Sequence, residues 1–481
     1  MPPARENDTV TAIPPRLRPL LDEGSPVRAL ADRLVAAGHQ CFLVGGSVRD
    51  ALLDRADAPD DIDVTTDARP DEIERVVRGL TDSVWLQGKQ FGTIGALIDG
   101  TRFEITTFRA EVYRPDSRKP GVTFADAIET DLSRRDFTVN AMALRLPEPQ
   151  LVDPFDGAVD LAARRLRTPL APEVSFLDDP LRMMRAARFV AGLGLEPAPE
   201  LVAAIEEHRH RLEIVSPERI RDELSKLLAV EDPSAGLWLL TRTGLSDEFL
   251  PELNAMQLEQ DPIHHHKDVL AHTIAVVAKT RRDRPRVRLA ALLHDIGKPK
   301  TRSFAKGGVT FHHHEVVGAR MAEERLRALR YPNDVVDDVV KLVYLHLRIH
   351  TYAMGWTDRA VRRYARDAGP LLDDLNQLVR CDCTTRNQAK ARALNRRMDE
   401  LEARIAELRE QEELDRIRPP LDGRQVMAFL GVPPGPVVGD ALDALLEARL
   451  DEGPIAEEDA YARLGAWARE RGIEVRGAGE T

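Results

Sequence analysis

The feature that most constrains this chain is an apolar run, Cys41-Phe-Leu-Val44, that stops at Gly45-Gly46, passes into a helical segment over Val48–Leu53, and is followed by a short acidic, β-branched segment, Asp61-Ile-Asp-Val-Thr65. The order reads as buried strand, glycine turn, helix, strand. On a strand, side chains at i and i+2 project to one face, so Asp61 and Asp63 form a carboxylate pair. Such a pair suits Mg²⁺, which takes oxygen ligands from one or two carboxylates together with substrate phosphates. The two glycines lack Cβ atoms and precede a helix, so a phosphate can approach backbone N–H groups there. Arg49, one turn into that helix, lies within reach of the same phosphate.

The chain has 481 residues, too many for one core, and about three domains are expected. Residues 1–25 read as a loose leader. Leu30–Ala37 and Pro70–Leu80 carry helical spacing, and Thr93–Ile98 and Arg102–Phe108 read as a strand pair around Asp99-Gly100. After Leu161 the texture becomes helical throughout, with helices expected at Leu181–Val190, Pro217–Leu228, Val269–Thr280, Arg288–Leu293 and Glu315–Leu329. Leu394, Met398, Leu401, Ile405 and Leu408 form a seam of about two heptads, which points to a helix packed within the molecule rather than a coiled coil.

Composition narrows the function. The apolar share of 43% rules out wholesale disorder. Apolar runs such as Leu289–Leu293 fall far short of the roughly 20 residues of a membrane span, and Met1–Pro15 lacks the apolar stretch of a signal peptide. Three cysteines, Cys41, Cys381 and Cys383, exclude a disulfide scaffold and favour a reducing cytoplasm. The net charge of −12 argues against a general nucleic-acid coat. Yet only ten of the 68 cationic residues are lysine. Arginine clusters such as Arg182, Arg185 and Arg188 either mark phosphate and base contacts or reflect composition.

Leu43-Val-Gly-Gly-Ser-Val-Arg-Asp50 followed by Asp60-Asp-Ile-Asp-Val-Thr65 resembles the opening signature of the class II tRNA nucleotidyltransferases, the group that includes CCA-adding enzymes and bacterial poly(A) polymerases. The resemblance spans roughly residues 28–260. It implies an α+β nucleotidyltransferase head (a small mixed sheet with helices) followed by all-α neck, HD-type and tail domains. The expected boundaries are 26–165 for the head, 166–255 for the neck, 256–390 for the HD-type domain and 391–481 for the tail. Asp61 and Asp63 then carry Mg²⁺. Glu104 is a third catalytic carboxylate or a solvated charge, since its alternation with Phe103 and Ile105 suits both. Ser133-Arg-Arg-Asp-Phe-Thr-Val-Asn-Ala-Met142 resembles the family's nucleotide-binding motif, which gives Arg134, Arg135, Asp136 and Asn140 contacts to ribose and phosphates. Asp153-Pro-Phe-Asp-Gly157 matches a flexible hinge segment. Asp178-Asp-Pro-Leu-Arg-Met-Met-Arg185 resembles the motif that reads the base. There Asp179 and Arg182, with Arg185 nearby, accept cytosine or adenine, because both present an amine donor beside a ring acceptor. A helix cap with a surface arginine is the bland alternative. Asp178 departs from the family's usual Glu. Pro217–Leu228 matches a bracing helix.

Ten of the thirteen histidines fall between 264 and 350. His272, His294, Asp295 (in Leu292-Leu-His-Asp-Ile-Gly-Lys298), His314, His346 and Asp382 resemble an HD-type phosphohydrolase site. Adjacent His294 and Asp295, completed by His272 and Asp382, would take one divalent transition metal, and His314 with His346 a second. Exposed surface histidines and an inactive scaffold are the alternatives.

The implied function is template-independent addition of CCA to tRNA from CTP and ATP, with no membrane and no obligatory protein partner. Poly(A) polymerase, CC-only or A-only addition, and an HD-type phosphohydrolase acting on RNA ends are the rivals. The acidic balance and Gln87-Gly-Lys-Gln-Phe-Gly-Thr-Ile94, similar to the CCA-adding form, weigh against poly(A) synthesis.

Overall fold

The computed structural model describes residues 15–54, 61–112, 121–258, 268–305, 308–349, 357–384, 388–412, 418–473 and 475. Asp60 and His264–His266 lie outside them. The chain divides into two compact units, Met1–Asn254 and Ala255–Thr481.

The first unit is built on a seven-stranded mixed sheet. Its spatial order is Val84–Trp85, Thr93–Ile98, Thr101–Thr107, Asp61–Thr66, Cys41–Val44, Ala143–Leu146, Gln150–Val152. Asp61–Thr66 and Thr101–Thr107 pair in parallel, and the other neighbours are antiparallel. Period-two alternation gives the sheet two unlike faces. Ile62, Val64, Ile94, Ala96, Ile98, Phe103 and Ile105 are buried on one face, each large apolar side chain contributing about 1.5–3 kcal/mol. Asp61, Glu104 and Leu97 are exposed on the other. The Asp99–Gly100 turn joins the expected pair, with both residues at positive φ.

Among the described residues, the loose leader expected over 1–25 is helical from Pro15. Pro15–Leu17 and Arg18–Leu21 are helical, and Leu17 is buried. Ser25 caps the Pro26–Ala36 helix by accepting from the Arg28 amide at 3.1 Å, with proline in the first turn where its missing N–H costs nothing. Beyond the sheet, the helices Pro172–Asp178, Leu181–Leu193, Pro199–His208, Pro217–Leu228 and Ser234–Arg242 continue the unit. The 153–157 segment is held tightly. Asp153 accepts from the Gly157 and Ala158 amides, and a Cβ on Gly157 would lie 2.2 Å from the Thr138 carbonyl oxygen. Close packing, rather than a hinge, requires that glycine.

Among the described residues, the second unit is helical apart from a small hairpin, Ser303–Ala305 with Gly308–Thr310. The heptad seam lies on Gln388–Glu412. It buries Met398, Leu401, Ile405 and Leu408, and the helix packs on Asp358–Ala368 and Leu372–Asp382. The tail has its own core of Leu421, Val426, Leu430, Val438, Leu445 and Leu464. Its glycine-rich stretches are turns between packed helices. Asp422 and Gln425 form a capping box, and Gly431 ends the Gly423–Leu430 helix at φ 66°. Among the described residues, no helix is long and apolar enough to cross a membrane.

Candidate functional site

The strand register sets the first constellation. Asp63 is directly opposite Glu104 on the neighbouring parallel strand, and Asp61 opposite Arg102, so all four side chains share the open face. Glu104 therefore joins the carboxylate pair. Burial pushes the Asp63 carboxyl up to about 6; Arg135 opposes this shift, and Glu104 and Asp61 add to it. Asp61 leans toward Arg102, whose Nε lies 3.4 Å away. The three carboxylates are not drawn into a mutual cluster within 4.8 Å. An all-oxygen donor set of this kind fits a hard divalent ion.

Gly45 adopts φ 72°, and a Cβ there would stand 3.2 Å from Asp63 Oδ2 and 3.6 Å from Arg135 Nη1. The turn thus presses bare backbone against the acidic pair on one side and a guanidinium on the other. Arg49 is not directed at an open phosphate site. It donates to Asp50 from Nε and Nη2 at 2.8 Å and to Asn140 Oδ1 at 2.6 Å.

Arg134 and Arg135 are both anchored by Asp131, a fully buried carboxylate that the sequence reading missed. Burial raises its pKa, but the two arginines outweigh that and hold it below the usual range. Its place three and four residues before the arginines, on one helical turn, was the available signal. Asp136 is buried and accepts from Asn140 Nδ2 at 2.9 Å and from Arg185 Nε and Nη2 at 2.9 and 2.6 Å. Burial opposes its charge, and Arg185 with Asn140 overrides burial, so its carboxyl stays below the ordinary value.

Arg134, Arg135, Asp136, Asp179, Arg182 and Arg185 line one cleft of about 450 Å³. Asp179 and Arg182, expected to read the base together, both line this cleft, and each is held by other partners. Asp179 caps the following helix through the Leu181 amide at 3.1 Å and accepts from Arg219 Nη2 at 2.8 Å. Arg182 is buried rather than on the surface, donating to Ser175 Oγ at 2.9 Å and to the Arg134 carbonyl. The helix Pro217–Leu228 does more than brace: Arg219, Asp222, Glu223 and Lys226 form a wall of the cleft. Glu223 is buried and holds Arg188 at 2.9 Å, Lys226 at 3.3 Å and Arg185 at 3.6 Å.

In the second unit, helix ends converge on six side chains. His272 lies in Val269–Lys279, His294 and Asp295 follow Pro285–Leu293, His314 opens His314–Ala328, His346 closes Asn333–Leu345, and Asp382 ends Leu372–Asp382. His272, His294 and Asp382 form one group with ligand atoms mutually within 4.8 Å, and Asp295, His314 and His346 form another. Asp295, expected to share a metal with His294, groups by distance with His314 and His346 as well. Its Oδ2 lies 3.2 Å from His294 Nε2 while Oδ1 is 3.3 Å from His314 Nε2, so the carboxylate faces both.

His294, His314 and His346 each point Nδ1 at a carbonyl three residues earlier, at 2.8, 2.8 and 2.6 Å. A carbonyl only accepts, so Nδ1 carries a proton; the buried Nε2 atoms of His294 and His314 face the Asp295 carboxylate at 3.2 and 3.3 Å without a well-formed hydrogen bond, and that of His346 has no hydrogen-bond partner. Inward-facing nitrogens oriented by an outer hydrogen bond are what a metal-binding imidazole needs. Burial lowers the His294 pKa, but the Asp295 and Asp382 carboxylates pull it up to about 10. Burial and the His294 charge push His346 down to about 3. Sequence reading missed Lys298, which donates to Asp295 at 2.6 Å, and Thr384, at 2.7 Å from His272 Nδ1.

Comparison with known proteins follows this division. Residues 41–167 match the Poly A polymerase head domain, 194–257 the probable RNA and SrmB-binding site of polymerase A, and 263–408 the HD domain. An A-adding tRNA nucleotidyltransferase of Deinococcus radiodurans is 36% identical over 394 residues, covering 78% of this chain and 88% of that protein. A CCA-adding enzyme of Geobacillus thermodenitrificans is 31% identical over 437 residues, 90% of this chain and 94% of the other. The crystal structure of the Bacillus stearothermophilus CCA-adding enzyme in complex with CTP superposes with a TM-score of 0.67 at 26% identity, covering 95% of this chain and 99% of that one. From these matches, the chain belongs to the tRNA nucleotidyltransferase family of CCA-adding and A-adding enzymes.

Proposed function

We propose that the chain adds C, C and A to tRNA 3′ ends from CTP and ATP without a nucleic-acid template. In each step the 3′-hydroxyl oxygen attacks the α-phosphorus of the nucleotide. The hydroxyl proton is lost, and the bond to the β-phosphate oxygen breaks to release pyrophosphate. The observation that carries this reading is the cleft in which Arg134, Arg135 and Asp136 face Asp179, Arg182 and Arg185, with Arg135 reaching the Gly45–Asp63 corner.

Enzymes of this family use divalent metal, and we assign Mg²⁺ to Asp61, Asp63 and Glu104. Bound there, the ion polarises the attacking hydroxyl and neutralises charge on the departing pyrophosphate. Gly45 and Gly46 leave room for the triphosphate, which Arg134 and Arg135 neutralise. Asp136 and Asn140 set the ribose pocket and, with Arg49, tie it to the glycine turn. Arg182 and Arg185 stand on the cleft wall beside Asp179. Asp179 keeps a partly exposed carboxylate whose Arg219 partner is itself half exposed, so a cytosine or adenine amine competes with a weakly held surface ion pair. The head over 26–165 and the neck over 166–255 act together in this scheme, with an HD-type domain over 256–390 and a tail over 391–481. Three free thiols support a reducing cytoplasm as the setting.

A second reading, A-only addition, is favoured by the name of the Deinococcus relative. Incubating the protein with tRNA lacking CCA, Mg²⁺, and CTP or ATP singly and together, followed by 3′-end sequencing, separates the outcomes. Products that stop at CCA support full addition. A-only products on tRNA ending in CC mean the second reading, and a long A tail means poly(A) synthesis.

For the second unit, we propose divalent transition-metal binding by His272, His294, Asp382, Asp295, His314 and His346, with phosphoester hydrolysis as an additional activity. The three buried Nε2 atoms, each on a ring fixed by an Nδ1 bond to a carbonyl and grouped with the carboxylates, support it. Unchanged metal content after alanine substitution of His294 and Asp295 would overturn it.

A further inference from the structure

The strand register that aligns Asp63 with Glu104 continues outward. Glu104 pairs with Gly95, and Gly95 pairs with Trp85 on the edge strand. Directly paired residues project to the same face, so Asp63, Glu104, Gly95 and Trp85 form one row across four strands. Gly95 contributes no side chain, and the Trp85 ring fills that space. A Cβ on Gly95 would lie 3.2 Å from Trp85 Cε3. The indole therefore lies down on the open face toward the carboxylates instead of standing away from the sheet. It remains 39% exposed, a large aromatic side chain open to solvent on this face.

The adjacent row runs Asp61, Arg102, Leu97. The Arg102 guanidinium sits 5.5 Å from the Trp85 ring centroid while its Nε is 3.4 Å from Asp61 Oδ1. One exposed cation thus joins the aromatic to the reaction centre. Leu97, 38% exposed, flanks it on the same face.

Direction decides what this surface receives. Gly45 and Arg135 crowd Asp63 from the Cys41–Val44 side, where the nucleotide cleft begins. Trp85 lies on the opposite side, three strand spacings or roughly 14 Å from Asp63. In phosphoryl transfer the attacking and leaving oxygens are roughly in line. A triphosphate held on the Gly45 side leaves the Glu104–Trp85 side of the acidic row open to the acceptor strand.

We infer that Trp85, backed by Arg102, is a stacking platform for an unpaired base of the acceptor RNA just behind its 3′-terminal nucleotide. This rests on the nucleotidyl-transfer reading above and adds an RNA subsite to it. An aromatic face with a neighbouring guanidinium is the sequence-tolerant way to hold single-stranded RNA. Sequence tolerance is what an enzyme acting on many tRNAs needs at that position.

Two measurements test it. Steady-state transfer of CMP to tRNA lacking CCA is compared for the wild type, Trp85→Ala and Trp85→Phe, all checked for unchanged thermal unfolding. Trp85→Ala is expected to raise the KM for tRNA about tenfold while the KM for CTP and kcat stay within about twofold, and Trp85→Phe to recover most of the loss. Separately, binding of a short oligoribonucleotide with the acceptor-end sequence is measured without nucleotide, and it should weaken about tenfold in Trp85→Ala. An unchanged KM for tRNA and unchanged oligoribonucleotide binding, or equal losses for tRNA and CTP, overturns the subsite. A wild type that transfers nothing overturns the reading beneath it, and oligoribonucleotide binding then still decides whether Trp85 holds RNA.

Discussion

Arg185 delivers two hydrogen bonds, from Nε and Nη2, to a single oxygen of the buried Asp136, at 2.9 and 2.6 Å. The contact ties the segment that follows Arg134-Arg135 to the Leu181–Leu193 helix, and so fixes two walls of the nucleotide cleft against each other. It also explains how a carboxylate only 8% exposed stays charged.

Removing that charge leaves a guanidinium with half its partners. Asp136→Asn is expected to cost about 3 kcal/mol at pH 7, read as a lower urea midpoint. Asp136 has its folded pKa held below the unfolded value of about 3.9, so its contribution is present above that value and is lost as pH falls through the folded one. The variant should therefore lose part of the wild type's destabilisation between about pH 4 and lower pH. Parallel unfolding curves for the two proteins across that window would contradict this.

Asp63 has the opposite sign. Its folded pKa of about 6 exceeds the unfolded one, so without metal it costs stability as pH rises from about 4 through 6. In chelator at pH 7, Asp63→Asn should gain about 2 kcal/mol. The same change should lower nucleotide transfer on the order of a thousandfold, since metal stabilisation of transition-state charge is worth several kcal/mol. Because Mg²⁺ competes with the proton for this carboxylate, the acid limb of wild-type activity should lie below about pH 6 and move lower as Mg²⁺ is raised. Differential scanning calorimetry and a pH–rate profile measure both.

In the second unit, metal loading should displace the proton that Asp295 and Asp382 hold on His294. Calorimetric titration of the metal-free protein with Mn²⁺ in buffers of different ionisation enthalpy should reveal about one proton released at pH 7.5. His294→Ala should abolish that release and the bound metal while leaving CMP transfer within about twofold. In the metal-free protein, the His294 contribution to stability is complete below its unfolded pKa near 6.5 and is lost as pH rises through about 10.

Gly297 tests the packing that holds this cluster. A Cβ there would meet the His314 carbonyl oxygen at 2.2 Å and the Gly318 amide nitrogen at 2.7 Å. Both atoms are backbone and cannot swing aside. Gly297→Ala should cost about 3 kcal/mol by overpacking and lower metal affinity more than tenfold. Near-wild-type stability with full metal content would show that the two helix ends separate freely.

Local pattern was enough for much of this protein. The alternation in Asp61–Thr66 put both carboxylates on one face, the helical spacing beyond Leu161 announced a remainder that is helical but for two short strand pairs, and the histidines near 272–346 pointed to a metal-type cluster. These are properties of neighbours in sequence, governed by the two- and 3.6-residue periods. Partnership across the fold was decided elsewhere. Glu104 became a third member of the acidic set only through parallel register, which depends on which strands pair. Asp179 and Arg182 read as a base-reading pair from sequence, but which groups hold them, Arg219 for Asp179 and Ser175 for Arg182, was decided by how the Pro172–Asp178 and Pro217–Leu228 helices pack around them. Asp131, Glu223 and Trp85 carry no motif of their own. Their roles arise from burial beside arginines and from a glycine two strands from the catalytic strand, quantities that exist only once the chain has closed on itself.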